Sequence, residues 1–241
     1  MDTFNTYFEP ENAFAALRVL EAAGYEVVLP AAADGGRPIC CGRTFLSVGL
    51  VDQAREEAAR VVETLRPYLE RGMPVVGLEP SCLLTVRDEY GGLLSDPLVP
   101  GLAERAMLLE EFLAHEASRG ELHLPLAPQP GRRALVHGHC HQKAFGVMPA
   151  VEQALRLVPG LELEMIESSC CGMAGAFGYS ARHYDVSIRM AELSLLPAVR
   201  GAPPEAWVVA DGTSCRHQIR DGAGRDAVHA VRVLDHALVR S

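Results

Sequence analysis

Apolar positions recur every three to four residues in "NAFAALRVLEAAGY", which closes on Gly24, and in "VDQAREEAARVVETLRPYLERG", where Gly72 takes the C-terminal stop position. Both stretches predict amphipathic helices. Between them "EVVLP" predicts a strand, and "MPVVGLEP" is a continuous apolar run of the kind buried in a parallel sheet. "SCLLTVRDEYGG" predicts a helix with Ser81 as its N-cap, and "GLAERAMLLEEFLAHEAS" one further helix. The Pro-rich "ELHLPLAPQPGR" reads as a connector.

The order of elements then repeats. "RRALVHG" predicts a strand, "MPAVEQALRLVPG" a helix, "LELEMI" a strand and "ARHYDVSIRMAELSLLPAVRG" one long helix. "AWVVADG" predicts a strand, "TSCRHQI" the opening of a helix, and "DAVHAVRVLDHAL" a short strand and helix. The repeat has a period of roughly 130 residues, from Cys40 to Cys170 and from Cys82 to Cys215. Its best match sets "VVGLEPSCLL" (Val75–Leu84) against "VVADGTSCRH" (Val208–His217). The expected fold is α/β: two similar α/β lobes from an internal duplication, with mostly parallel sheets, over residues 1–120 and 121–241. One mismatch stands out. The strand Arg133–Gly138 precedes Cys140, whereas few residues precede the matching place near Thr3 or Phe4. The first lobe is therefore expected to lack most of its first strand, and the sequence to be a piece of a longer chain with Met1 as an artificial start.

Composition narrows the chemistry. The chain has 241 residues, 49% of them apolar, enough for a core without covalent staples. A formal charge of −9 argues against nucleic acid as a partner, because phosphate binding needs an excess of Lys and Arg. "MDTFNTYFEPEN" has no basic n-region and no apolar h-region, and no apolar run approaches the ~18 residues of a membrane span. The expected location is the cytoplasm, at most peripheral to a membrane through partners. Disulfides are rare in that reducing compartment, and seven cysteines is an odd count, so a disulfide framework does not account for them.

The cysteines fall where strands end or helices begin. Ligands of open α/β sheets sit outside the carboxyl ends of the strands, so Cys140, Cys170, Cys171 and Cys215 are expected to converge on one sheet edge. Cys215 follows Thr213 and Ser214 at a helix start, where backbone N–H groups favour the thiolate that ligates metal, and Cys82 has the same setting. Gly172, Gly175 and Gly178 follow the cysteine pair in "CGMAGAFG" and read as a backbone cradle that can turn N–H groups toward sulfur. No His occurs before His115; "HGHCHQK" sets His137, His139 and His141 around Cys140, and His217 follows Cys215 by two. Each could be a ligand or a hydrogen-bond donor to one, and His141 and His217, beside Cys140 and Cys215, are the preferred two. Four thiolates suit zinc or an iron–sulfur cluster, and no standard spacing rule decides between them.

With these residues in view, the chain resembles the duplicated cysteine-rich "CCG" domain of iron–sulfur oxidoreductases. That family includes the cysteine-rich subunit of heterodisulfide reductase, the iron–sulfur subunits of glycolate oxidase and anaerobic glycerol-3-phosphate dehydrogenase, and the C-terminal part of FAD-linked glycolate/D-lactate oxidases. "NTYFEPEN", "CCGRTFLSVGL", "GLEPSCLLTVRDEY", "GHCHQKA" and "SCCGMAGAFGY" carry the resemblance, which is nearest to the last group. The family pattern in each half is a lone Cys, then Cys-Cys-Gly, then Cys-x-x-Cys. In the second half Cys140, Cys170, Cys171 and Cys215 match and Gln218 replaces the last Cys; in the first, Cys40, Cys41 and Cys82 match, Thr3 or Phe4 stands for the lone Cys and Thr85 for the last. The departures argue against carrying over disulfide-cleaving chemistry. The resemblance implies an iron–sulfur cluster, expected as [4Fe–4S], on Cys140, Cys170, Cys171 and Cys215 with Gly172, and a depleted second site on Cys40, Cys41 and Cys82. It also implies FAD on a separate flavin-binding oxidase domain, a ferredoxin-like Fe–S segment and an electron acceptor as partners.

Two alternatives stay open at this point: a structural zinc module that docks a flavoprotein, and a thiol–disulfide oxidoreductase using the vicinal pair Cys170 and Cys171. A hydrolase or nucleotide enzyme is poorly supported, for the chain has no G-x-S-x-G elbow, no P-loop and no G-x-G-x-x-G after a strand. No residue is singled out as a catalytic acid or base.

Overall fold

The computed structural model describes residues 2–239. A wide π-type turn over Phe4–Phe8 leads into α1 (Pro10–Ala22), whose first residue is a proline, placed where its missing N–H costs nothing. There follow α2 (Arg43–Ser47), α3 (Val51–Leu69), β1 (Val75–Gly77), α4 (Pro80–Arg87), α5 (Tyr90–Leu93), α6 (Val99–Arg105), β2 (Ala106–Leu108) and α7 (Leu109–Ser118). After the connector come β3 (Arg133–His137), α8 (Cys140–Ala144), α9 (Met148–Arg156), β4 (Glu162–Met165), α10 (Tyr184–Glu192), α11 (Leu195–Gly201), β5 (Trp207–Ala210), α12 (Thr213–Ala223) and α13 (Ala230–Ala237). The α/β class stands, and every pair of described strands is parallel: β1 with β2 in one sheet, and β4-β3-β5 in the other.

Several elements depart from the sequence expectation, each for a physical reason. "EVVLP" forms no strand; Val28 and Leu29 remain 38% and 54% exposed. Its apolar residues suit a sheet, but no described strand lies beside it. "GLAERAMLLEEFLAHEAS" is not one helix. Ala106, Met107 and Leu108 pair in register with Val75, Val76 and Gly77, and a Glu111 carboxylate oxygen then accepts from the Leu108 N–H at 2.9 Å to start α7. The stretch from Ala181 onward is not one long helix either. It breaks at Leu193 and Ser194, because Pro197 lacks an N–H and its ring would strike the carbonyl of Leu193. Ser81 is not the N-cap of its helix. Glu79 takes that place with Pro80 behind it, and the Ser81 hydroxyl donates to Glu79 Oε1 at 2.9 Å.

The two halves share one core. Ala16, Val19, Leu20, Leu109 and Leu113 pack with Ala134, Val136, Val209 and Leu234 in a single buried cluster. Polar contacts lock the same seam. Glu79, wholly buried at the end of β1, accepts at Oε2 from the Thr213 N–H (3.0 Å) and hydroxyl (3.1 Å), so a first-half carboxylate caps the second-half helix α12. Arg216 donates to the carbonyls of Ala210 (2.8 Å) and Asp211 (2.7 Å) and grips Glu9 through two nitrogens. His229 Nε2 lies 3.0 Å from the Leu78 carbonyl oxygen. The first-half sheet has two described strands where the second has three. The region of Thr3 and Phe4 is helical, and Met1 lies outside the described residues.

Candidate metal centre

Each strand of the second-half sheet ends on a cysteine-bearing segment. β3 runs into His139, the N-cap of α8, and Cys140 is the first residue of that helix. β4 leads to the loop holding Cys170 and Cys171. β5 leads through Gly212 to α12, with Cys215 in the first turn. Because the three strands are parallel, all four thiols arrive at one edge.

There they form a continuous chain of contacts: Cys140 with Cys170, Cys170 with Cys171, Cys171 with Cys215. The contacts sort the protons. Cys170 is drawn well below the ordinary thiol range because the Cys140 and Cys171 thiols donate to it, helped by the N–H groups of Gly172 and Ala174. The Gly172 N–H lies 3.3 Å from Cys170 Sγ. Cys215 is also lowered, by the Cys171 thiol and by His137, against its burial. Cys140 and Cys171 are raised, each as donor to a neighbouring sulfur and then by burial. The contacts thus favour the thiolate at Cys170 and Cys215 and the thiol at Cys140 and Cys171.

His137 joins it. Its Nδ1 lies 2.7 Å from Ser168 Oγ, while its buried Nε2 has no partner of good hydrogen-bond geometry and faces the Cys215 sulfur whose thiolate it favours. An imidazole nitrogen of His137 and the sulfurs of Cys171 and Cys215 all lie within 4.8 Å of one another. Converging thiols, an imidazole nitrogen that faces sulfur and a backbone N–H on sulfur fit a thiophilic metal or cluster. Neither His141 nor His217 is in this group. The His141 ring stacks on His139 at 5.2 Å, and burial, then His139 and Arg43, push it down to about 4; His217 Nδ1 is bonded to the Tyr179 hydroxyl at 2.5 Å. In the sequence His137 is one of three in "HGHCHQK". Its place as the last residue of the central strand is the signal that could have singled it out.

Neighbouring side chains fix this group in place. The Gln142 side chain accepts from the His139 N–H at 2.9 Å and donates to Asp211 at 2.7 Å, tying α8 to the end of β5. Lys143 donates to the carbonyls of Ser168 and Ser169, holding the loop just ahead of the cysteine pair. Gly172 has φ of +91°, and a Cβ there would sit 2.1 Å from the Ser187 carbonyl oxygen. Gly172→Ala should therefore destabilise the protein by about 2–3 kcal/mol, combining a left-handed backbone with overpacking. Denaturant unfolding checks it.

The first-half site repeats the plan in a poorer form. Cys82 sits in the first turn of α4, Cys41 touches it, and Cys40 touches Cys41. Gly42 has φ of +80°, and a Cβ on it would meet the Ala54 carbonyl oxygen at 2.9 Å. Both Cys-Cys-Gly triplets thus press a left-handed glycine against a helix backbone carbonyl. The residues standing where the family has a last Cys are engaged elsewhere. The Thr85 hydroxyl donates to the Ser81 carbonyl (2.9 Å), and the Gln218 amide to the Ser187 carbonyl (3.2 Å) and hydroxyl (3.0 Å).

Residues 134–220 match the sequence profile of the CCG family, described as a cysteine-rich domain. The chain carries a CCG domain. The matched residues include Cys140, Cys170, Cys171, Cys215 and His137, while Cys40, Cys41 and Cys82 lie outside them. Relatives carrying this domain align over most of the chain. A subunit of the anaerobic glycerol-3-phosphate dehydrogenase of Escherichia coli (strain K12) is 31% identical over 237 residues, 98% of this chain and 57% of the relative. D-2-hydroxyglutarate dehydrogenase of the same strain is 28% identical over 239 residues, 97% of this chain and 22% of the relative. Lactate utilization protein A of Bacillus subtilis (strain 168) is 27% identical over 188 residues, 75% of this chain and 69% of the relative. The chain thus spans about half of the first relative and about a fifth of the second.

The proton pattern of the CCG domain has a consequence for loading. A metal binds thiolates, so loading this set would displace the protons that the sulfur contacts and burial favour on Cys140 and Cys171. Affinity for Co²⁺ or Zn²⁺ should rise with pH, by up to about a hundredfold per unit for two displaced protons. Chelator competition across the neutral range measures the slope.

Proposed function

We propose that Cys140, Cys170, Cys171 and Cys215 hold an iron–sulfur cluster of the [4Fe–4S] class, and that this chain is the electron-transfer part of an FAD-linked oxidoreductase. The convergence of four thiols from the ends of three parallel strands carries the reading. When bound, the cluster supplies a one-electron relay. The chain's own residues bias Cys170 and Cys215 toward the thiolate, direct the Gly172 N–H at Cys170, and fix the loop through Lys143. Cys40, Cys41 and Cys82 form a second, depleted site, and His141 and His217 act near the centre rather than as its first ligands. The lobes 1–120 and 121–241 are the two repeats, packed on a common core.

The relatives' names point to dehydrogenases of glycerol-3-phosphate and D-2-hydroxyglutarate and to lactate utilization. In this reading FAD, on a flavin-binding oxidase domain, takes electrons from a 2-hydroxy acid of the glycolate/D-lactate type. Ferredoxin-type clusters then pass them to this chain and on to an acceptor. No described helix is long and apolar enough to cross a membrane; any membrane association is proposed to be peripheral, through partners. Anaerobic reconstitution with iron and sulfide, followed by a redox titration, tests the role: a reversible one-electron EPR signal is expected. A chromophore that never reduces and reoxidises would overturn it. One observation favours a second reading. The His137–Cys171–Cys215 triangle is a mixed N/S set that also suits structural zinc.

A further inference from the structure

A second group of titratable side chains converges away from the thiols, again where parallel strands end. Glu110 lies in the first turn of α7, directly after β2. Asp211 directly follows β5. His229 follows Val228, which bridges Val209 in parallel, and is the N-cap of α13. Glu110 comes from the first half and the other two from the second, and they meet at the seam, 0%, 2% and 0% exposed. One donor atom from each lies within 4.8 Å of the others. None of the three is a member of the cysteine set.

Hydrogen bonds account for two of these side chains but not for the third. Asp211 accepts from the Ala230 N–H at Oδ1 (2.9 Å) and from the Gln142 amide at Oδ2 (2.7 Å). His229 Nε2 donates to the Leu78 carbonyl at 3.0 Å, which leaves Nδ1 as an acceptor, and Nδ1 takes the Val231 N–H at 3.1 Å. Both Glu110 carboxylate oxygens are buried, and neither has a hydrogen-bond partner among the described residues. Glu110 Oε1 is 3.6 Å and Asp211 Oδ1 3.4 Å from His229 Nδ1. With Nδ1 unprotonated, neither contact is a hydrogen bond, and ionised carboxylates here face only another acceptor. Burial, and then the Asp211 charge, accordingly push Glu110 up from the ordinary carboxyl range.

We propose that Glu110, Asp211 and His229 bind one hard divalent cation of the Mn²⁺ kind. Buried charges are paired or coordinate metal, and a dication balances both carboxylates while giving the Glu110 oxygens a partner. Donors about 2.1 Å from one ion stand about 3.0–3.4 Å apart, from octahedral to tetrahedral geometry. The separations of 3.4 and 3.6 Å at Nδ1 are close to that. Glu110 brings two oxygens, Asp211 one and His229 a nitrogen. A set rich in carboxylate oxygen and free of sulfur favours Mn²⁺ over the thiophilic ions that suit the cysteines. Loading expels any proton on Glu110 and redirects the Nδ1 lone pair from the Val231 N–H. Bound there, the ion ties the start of α7 to the end of β5 and the start of α13, and so pins the two halves at their seam.

Titration of chelator-stripped protein with Mn²⁺, followed by loss of the free ion's EPR signal, tests the site. One Mn²⁺ per chain is expected to bind saturably, with a Tm raised by about 5 °C at a roughly hundredfold excess over Kd. Cys171→Ser should bind the ion as well as the parent does. Glu110→Gln should bind at least about a hundredfold more weakly, beyond what a change in an outlying partner brings, and its Tm should not respond to Mn²⁺. Glu110→Leu keeps the volume without a buried polar group and repeats the comparison should the amide variant not fold. No saturable site in the parent, undiminished binding by Glu110→Gln or Glu110→Leu, or loss of the ion in Cys171→Ser would each overturn the proposal. The readout needs no cluster, so its failure is distinct from failure of the electron-transfer reading.

Discussion

Cys171→Ser is expected to strip the protein of its iron and sulfide while leaving it folded. Cys171 is 2% exposed, touches both Cys170 and Cys215, and faces His137. It is the middle of the contact chain, and serine in its place supplies no soft sulfur donor for a thiophilic metal. Iron after anaerobic reconstitution should fall below about a tenth of that in the unsubstituted protein, beyond the loss that a change in the supporting shell brings. Far-UV circular dichroism of the metal-free forms should coincide. The matching change in the depleted first half, Cys82→Ser, should remove much less. Equal losses would mean that the two sites contribute alike.

Arg216→Ala carries the largest expected effect on stability. The guanidinium is 4% exposed, donates to two carbonyls at the end of β5, and binds Glu9 across the seam. Its removal leaves those carbonyls and a partly buried carboxylate without their donor. The expected cost is about 3–5 kcal/mol, seen as a Tm lower by about 10 °C. Arg216→Lys should recover little, because an ammonium cannot reach two carbonyls and a carboxylate with one planar fork. A thermal scan of the two variants decides it. A shift of under about 1 °C for the alanine variant would mean that the seam is held by the shared apolar core alone.

What the sequence made legible was the part governed by local pattern and by a general rule of α/β sheets. The runs that became β1, β3, β4 and β5 were each continuous or flanked by turn residues, and the rule that parallel strands deliver ligands at their carboxyl ends brought Cys140, Cys170, Cys171 and Cys215 together from sequence alone. Long-range partners were not legible. "EVVLP" has strand composition, yet a strand exists only where a neighbour completes its ladder. "AML" reads as helix until β1 stands beside it. Pro197 is in plain view, but an uninterrupted apolar period on both sides outweighs it in the pattern. Among the histidines, closeness in sequence to Cys140 and Cys215 favoured His141 and His217, whereas the period of two along β3 is what turns His137 toward the sulfurs. Glu79 and Arg216 gave no signal, since a charged residue near a helix start ordinarily faces water.

Iron and acid-labile sulfide, measured together on anaerobically prepared protein and on its Cys171→Ser variant, test the central claim most directly. The account predicts iron and sulfide in equal amounts, held by the unsubstituted protein and lost from the variant, with stoichiometric zinc in neither. One zinc per chain without sulfide, or iron and sulfide that survive the substitution, would contradict it.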